Sequence, residues 1–233
     1  MLFFVKKPGK FRYTFRGKSD IITPTSKLPS AAHGWSQNIK RKGVKTPLRV
    51  RDAAGRMKGV IRHMNAIVVV DQIWAIGREG RLLFNLPADM ERFKKLTEGG
   101  TIIMGRRTLN SFVEGRPLPN RRNIVVTRNA DLVPPDLEVV PDPEAAVEAV
   151  AGDDPEKVWV IGGGSVYAAL LSRCRRVYLT RVETVAEGEP DTYFPDLDHH
   201  PGWEKESESE PMAENGLTFR FLQYVNRNPD SAP

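Results

Sequence analysis

The run Lys157-Val158-Trp159-Val160-Ile161-Gly162-Gly163-Gly164-Ser165-Val166-Tyr167-Ala168-Ala169-Leu170-Leu171 constrains this chain more than any other stretch. Its four consecutive apolar residues, 158–161, have the habit of a central strand in a parallel sheet, covered on both faces. Three glycines end that strand, and Val166, Ala169 and Leu170 then recur at helical spacing. The unit is strand, glycine turn, helix. Such a turn lets bare backbone N–H groups and a helix N-terminus approach a phosphate, whose negative charge the helix dipole favours. A dinucleotide cradle and a tight turn without a ligand are both open at this point. Tyr167 stands where the last glycine of a G-x-G-x-x-G fingerprint would fall.

Charge divides the chain into two unlike parts. Of its 35 basic and 29 acidic residues, residues 1–63 hold 16 and 2, a net of +14, which leaves residues 64–233 at −8. The larger part is thus poorly suited to nucleic acid, whose affinity rests on neutralising phosphates. A single cysteine, Cys174, excludes an internal disulfide framework or a zinc-thiolate cluster and suits a reducing cytoplasm. The histidines His33, His63, His199 and His200 form no H-E-x-x-H pattern, and no metal site is expected. No apolar run approaches the roughly 18 residues of a membrane-spanning helix. Residues 1–63 show no sustained apolar period and read as disordered. Met64 directly before the first convincing strand favours an inessential extension or misassigned start. A basic tail for nucleic acid or anionic membrane and an Arg-rich transit segment are the other readings. Residues 227–233 are expected to be a disordered tail.

Ala66-Ile67-Val68-Val69-Val70-Asp71 is a second, near-continuous apolar strand of the doubly covered type, followed over residues 72–86 by a loop long enough to act as a flap. Pro87 opens a helix in which Asp89, Phe93 and Leu96 share a stripe, while Glu91, Arg92 and Lys95 take other faces. A carboxyl group on a core-facing stripe needs hydrogen-bond donors; a simple complement to the helix dipole is the plainer reading. Thr101-Ile102-Ile103-Met104-Gly105 is a third strand, and Arg106-Arg107-Thr108 opens a short helix. Asn123-Ile124-Val125-Val126-Thr127 is a fourth strand. Six arginines (106, 107, 116, 121, 122 and 128) gather here, enough to hold a phosphorylated ligand and an acidic one, or to form a solvated basic face. Further on, Leu137-Glu138-Val139-Val140 reads as a short strand and Asp142-Pro143 as a helix start. The helix leads into the strand at 157 as a right-handed crossover. Arg176-Val177-Tyr178-Leu179-Thr180-Arg181-Val182 is the next strand, and Asn215-Gly216 signals a hairpin pairing with the stretch from Trp203. His199-His200 reads as solvated surface and Cys174 as a spectator thiol.

In this order the pieces resemble the dihydrofolate reductase family over residues 64–226. The resemblance is carried by Ala75-Ile76-Gly77, Leu86-Pro87-Ala88-Asp89 with Phe93-Lys94, Met104-Gly105-Arg106 with Thr108, and Gly115-Arg116-Pro117-Leu118-Pro119 with Arg121-Arg122-Asn123-Ile124. Ile161-Gly162-Gly163-Gly164 with Tyr167, Tyr178-Leu179-Thr180, and Asp191-Thr192 with Phe194-Pro195 complete it. The family implies one α/β domain: a central, mostly parallel eight-stranded sheet with an antiparallel C-terminal strand, flanked by helices. It also implies reduction of dihydrofolate by NADPH in the cytoplasm by a monomer open to antifolate inhibitors. A pyrimidine reductase of riboflavin synthesis, on a related fold, is the nearest rival, and it lacks the Leu86-Pro87-Ala88-Asp89 motif. A nucleic-acid-binding module in residues 1–63 is the rival from another class.

By the resemblance, Asp89 grips the pterin through its N3–H and 2-amino group, and Thr180 braces that carboxylate. Ile67 offers its carbonyl, Phe93 packs on the ring and benzoyl group, and Arg121 clamps the glutamate tail. Val68, Lys94 and Arg116 complete the substrate side. Arg106, Arg107, Thr108, Thr127 and Arg128 surround the 2′-phosphate of NADPH, and Gly162, Gly163, Gly164, Ser165 and Val166 hold the pyrophosphate. Val69, Ile76, Gly77, Gly105, Ile161 and Tyr167 complete the cofactor side, and the Gly162-Gly163 bond is cis in the family. Three departures stand out: Leu83-Phe84 replaces Pro-Trp, Ser165 replaces an arginine of some relatives, and Gln72-Ile73-Trp74 matches the longer flap.

Overall fold

The computed structural model describes residues 63–229. The expectations for residues 1–62 and for the last four residues of the tail lie outside the described residues. In chain order the strands and helices are β1 (Met64–Val70), β2 (Ala75–Arg78), β3 (Arg81–Leu82), α1 (Pro87–Thr97), β4 (Thr101–Gly105), α2 (Arg106–Ser111), β5 (Arg122–Val126) and β6 (Glu138–Val140). There follow α3 (Pro143–Ala149), β7 (Val158–Gly162), α4 (Gly164–Leu170), β8 (Cys174–Val182), β9 (Thr192–Tyr193), β10 (Trp203–Glu208), β11 (Met212–Glu214) and β12 (Leu217–Asn226).

The sheet runs β10-β12-β8-β1-β7-β4-β5-β6, eight strands on one path, with the short β11 adding a ninth at the side of β12. The strands from β8 to β6 are mutually parallel, and β12 lies antiparallel to β8 and β10. The expected mostly parallel α/β sheet is thus the one found. Continuous apolar runs work here because alternate residues enter different layers. On β1, Met64, Ala66, Val68 and Val70 join Val158 and Val160 of β7 under α3 and α4, where Val147, Val166, Tyr167 and Leu170 meet them. Ile67 turns the other way and joins Trp159, Ile102 and Met104, against which Phe93 and Leu96 of α1 pack.

Two local features differ from the sequence-based expectation. Residues 72–86 are more than a loop: β2 and β3 form a hairpin around Glu79 (φ 53°) and Gly80 (φ 74°), and β2 also pairs with β9. Positive φ at both turn residues matches the twist a two-residue hairpin requires. The strands were illegible because each is two to four residues long and little of the hairpin is buried; Leu82 is 63% exposed. Arg122 also leaves the expected arginine patch. It bonds Glu138 twice at 2.8 Å and Asp153 at 2.8 and 3.0 Å, tying β5 to β6 and to the loop after α3.

Asp71, at the end of β1, is fully buried and holds the base of the flap. Its Oδ1 accepts from the N–H groups of Ile73 (2.9 Å) and Ala75 (2.8 Å), and its Oδ2 from that of Ala186 (3.1 Å). Removing one partner of a buried hydrogen bond strands the other. Asp71→Ala is expected to lose about 3 kcal/mol of stability, read as a fall in melting temperature of roughly 10 °C. Asp71→Asn, which keeps one acceptor, should lose about half as much.

Candidate active site

Helix α1 begins with a proline in its first turn and carries Asp89 inward on the stripe it shares with Phe93 and Leu96. Asp89 is 8% exposed, and the Thr180 hydroxyl on β8 donates to its Oδ1 at 2.6 Å. Burial pushes this carboxyl above its ordinary value of 3.8; the Thr180 hydrogen bond and the Arg92 charge pull it back only in part. The start of α1 is fixed from outside the helix by Glu214 of β11, which accepts from the Ala88 N–H at 3.0 Å. A buried acid with one short hydrogen bond keeps further lone pairs for a ligand that presents paired N–H donors.

The glycine turn lies at the carboxyl end of β7, on the edge of the sheet where β1, β4, β5 and β8 also end. Ligands of open α/β sheets bind along such edges. The Gly162-Gly163 peptide is cis, and Gly162 has φ 114°, where a Cβ would lie 3.1 Å from the Tyr167 ring. A Cβ on Gly164 would come within 2.8 Å of the Thr192 side chain. The N–H groups of Val166 and Tyr167 bond the Gly163 carbonyl, leaving those of Gly164 and Ser165 without an intrahelical acceptor. Thr108 approaches Gly163 from α2, and Gly105 packs on Val166. Arg106 and Arg107 follow β4 directly, and Thr127 and Arg128 follow β5, so all four stand at this edge. The Thr127 Oγ1 accepts from the Asn129 N–H at 3.2 Å. Ser165 is exposed at the start of α4. This donor set fits a phosphorylated nucleotide.

The two halves meet at β1. Tyr167 of α4 is buried beneath the turn and donates its hydroxyl to the Ile67 carbonyl at 2.5 Å. Burial, and then the nearby Asp89, push its phenol well above the usual range. Ile67 and Val68 are buried and Val69 half-buried, with Val69 in register with Thr180. On the outer side Phe93 is half-buried, with the Arg121 guanidinium 5.7 Å from its ring centre. Arg121 is held by the Pro119 carbonyl and the Thr97 hydroxyl, both at 3.2 Å. Lys94 is exposed, and Arg116 pairs with Glu114 at 2.8 Å on the surface. Ile161 packs on the layer beneath α1. Ile76 and Gly77 lie on β2, where Gly77 pairs with Thr192 of β9. The flap is pinned at its turn, where the Glu79 N–H donates to Asp191 Oδ2 at 2.7 Å and Arg78 to the Glu187 carbonyl at 3.1 Å.

Arg92, which lies on another face of α1 than the Asp89 stripe, is linked to the acid through Thr180. Arg92 folds back so that its Nη1 reaches Thr180 Oγ1 at 3.4 Å and the Leu179 carbonyl at 3.2 Å. Three residues span about 300° of helix, so Arg92 stands beside Asp89 rather than opposite it; the i, i+3 spacing was the available signal. His199 lies on the surface against Asp196, as expected. Cys174 is buried, with its thiol pushed up by burial.

Residues 63–226 match the family model described as dihydrofolate reductase. The chain is 41% identical over 144 residues to the dihydrofolate reductase type 3 of Salmonella typhimurium, covering 62% of this chain and 85% of that protein. It is 36% identical over 168 residues to the dihydrofolate reductase of Bacillus subtilis, covering 71% and 96%. It is 39% identical over 166 residues to that of Mycobacterium tuberculosis, covering 68% and 98%.

A carboxyl raised in the folded state binds protons more tightly there than in the unfolded chain. Its contribution to stability is present below pH 3.8 and is lost as pH rises through the folded value. Asp89→Asn is therefore expected to raise the melting temperature at pH 7 by a few degrees, with the gain narrowing as pH falls toward that ordinary value. Thermal melts of both proteins across pH 4 to 8 check it.

Proposed function

The chain belongs to the dihydrofolate reductase family, and from its site we infer how it reduces 7,8-dihydrofolate to 5,6,7,8-tetrahydrofolate for one-carbon metabolism. The observation that carries the reading is a buried acid, Asp89, braced by Thr180 and set beside β1, whose other flank meets the bare glycine turn through Tyr167. We assign Asp89 to the N3–H and 2-amino group of the pterin, and the Ile67 carbonyl, Val68 and Phe93 to its ring and benzoyl group. Arg121, with Lys94 and Arg116 at the rim, takes the acidic tail.

The cofactor we assign is NADPH. The turn of Gly162, Gly163, Gly164, Ser165 and Val166 receives the pyrophosphate. Arg106, Arg107 and Arg128 with Thr108 and Thr127 receive the 2′-phosphate, to which guanidinium groups bond bidentately. Val69, Ile76, Gly77, Gly105, Ile161 and Tyr167 line the remainder. When bound, the reduced nicotinamide supplies a hydride to C6 of the pterin. The protein's part is positioning and field. Thr180 holds the carboxylate of Asp89, whose charge makes N5 more basic, so that N5 gains its proton from solvent. To the hairpin of β2 and β3, held by Asp191 and Glu187, we assign the part of limiting water at the reacting edge.

We take the monomer as the working unit, with the catalytic unit in residues 64–226. We place it in the cytoplasm, where its one thiol stays reduced.

Dihydrofolate and NADPH added to the purified protein should give loss of reduced-nicotinamide absorbance; no loss at any enzyme concentration would reject the reading. Asp89→Asn is expected to cut turnover by about 100-fold or more at neutral pH while nucleotide binding stays nearly intact. Arg107→Ala is expected to weaken NADPH by about 1 kcal/mol or more and to leave NADH unchanged. Equal effects on the two nucleotides would reject Arg107 as a 2′-phosphate contact.

A further inference from the structure

Arg92 has no part in the assignments above, yet it is tied into the acid's hydrogen-bond system. Its guanidinium lies 4.2 Å from the centre of the Phe221 ring on β12 and 5.8 Å from that of Tyr178 on β8, distances at which an aromatic face attracts a cation. Nη1 donates to the Leu179 carbonyl and to the Thr180 hydroxyl. That hydroxyl has one hydrogen, which goes to Asp89 Oδ1 at 2.6 Å, so toward Arg92 it is an acceptor. The three groups form a directed chain: guanidinium to hydroxyl, hydroxyl to carboxylate. A hydroxyl that accepts from a cation donates more strongly, and the low local dielectric enlarges the effect.

We propose that Arg92 is a positioning residue for this reaction, fixing through Thr180 both the direction of the hydroxyl and the charge of the Asp89 carboxylate. The proposal rests on the reading of Asp89 as the pterin anchor. The other polar groups around the acid do not supply this effect. On β8, Tyr178 lies against Arg92. On α4, the Tyr167 hydroxyl is directed to Ile67, and on β11 Glu214 is directed to the Ala88 N–H. Glu91 of the same helix turns outward to Lys95 at 2.7 Å. The facing residues of β1 and β12, Ile67, Val69 and Phe221, carry no charge. Burial drives the acid toward its neutral form, and of these neighbours Arg92 brings the opposing positive charge. In exchange the charge of Asp89 offsets part of the burial penalty on Arg92.

Three variants of the full chain test this: Arg92→Gln, which removes the charge; Arg92→Lys, which restores it without the planar fork; and Arg92→Met, which replaces Gln should that protein not fold. The readouts are the titration of the Asp89 carboxyl carbon by NMR, assigned through its absence in Asp89→Asn, and the pH profile of turnover. Losing a facing cation should move the Asp89 midpoint up by about 1 pH unit in the neutral variant. The turnover profile should shift the same way, and Lys should recover most of the difference. A neutral variant with native circular dichroism whose Asp89 midpoint and profile coincide with those of the unsubstituted protein would overturn the role of Arg92. Unchanged turnover in Asp89→Asn would instead overturn the reading of Asp89 itself, so the two failures are distinguishable.

Discussion

The burial of one acid organises this molecule. A carboxyl group placed inside a protein is tolerated only if its oxygens find donors, and among the described residues Asp89 finds the Thr180 hydroxyl. That bond joins α1 to β8 across the sheet layer where Phe93, Leu96, Trp159 and Tyr178 pack. The position of the helix follows from it and from Glu214, which caps the same helix from β11. Stability is thereby given up locally to keep an acid at this inner position. Trade-offs of this kind are common at sites built for binding or chemistry.

Around that acid the parallel strands supply a second constraint. Strands β1, β4, β5, β7 and β8 point their carboxyl ends the same way, so residues far apart in sequence gather on one edge. The glycine turn stands there because any side chain at Gly162 would meet the Tyr167 ring and any at Gly164 would meet Thr192. Tyr167 then connects the turn to β1 through the Ile67 carbonyl. Asp71 does comparable work at the flap, gathering three N–H groups from the two segments that leave the edge beside it. Both are buried polar groups, and the bonds of Tyr167 to Ile67 and of Asp71 to Ala186 join residues 100 and 115 apart in sequence.

Much of this was legible beforehand. The doubly covered strands at 66–71, 101–105 and 158–161 were readable because continuous apolar runs bounded by glycine or by charge have few other uses. The start of α1 at Pro87 and of α3 after Asp142 followed from capping chemistry; the Asp142 side chain does accept from the Ala145 N–H, at 2.8 Å. The flap hairpin was not legible, since strands this short and exposed leave no alternation to detect. The arginine cluster was legible as a composition and not as a geometry: Arg122 is consumed by Glu138 and Asp153, partners 16 and 31 residues away. The link from Arg92 to Asp89 was not legible, because an apolar stripe says where a Cβ points and not where a long side chain three residues on will end.

The amino-acid sequence by itself determined the parallel layered architecture, the glycine turn between β7 and α4, and an acid on the inner stripe of α1. These are properties of local periodicity and backbone freedom, which act over a few residues. Only the tertiary structure decided that Arg92 would join Thr180 at that acid, that Tyr167 would join the turn to Ile67, and which arginines stay at the edge of the glycine turn. Those outcomes depend on which distant groups burial brings within about 3 Å of one another, and spacing along the chain carries no such distance.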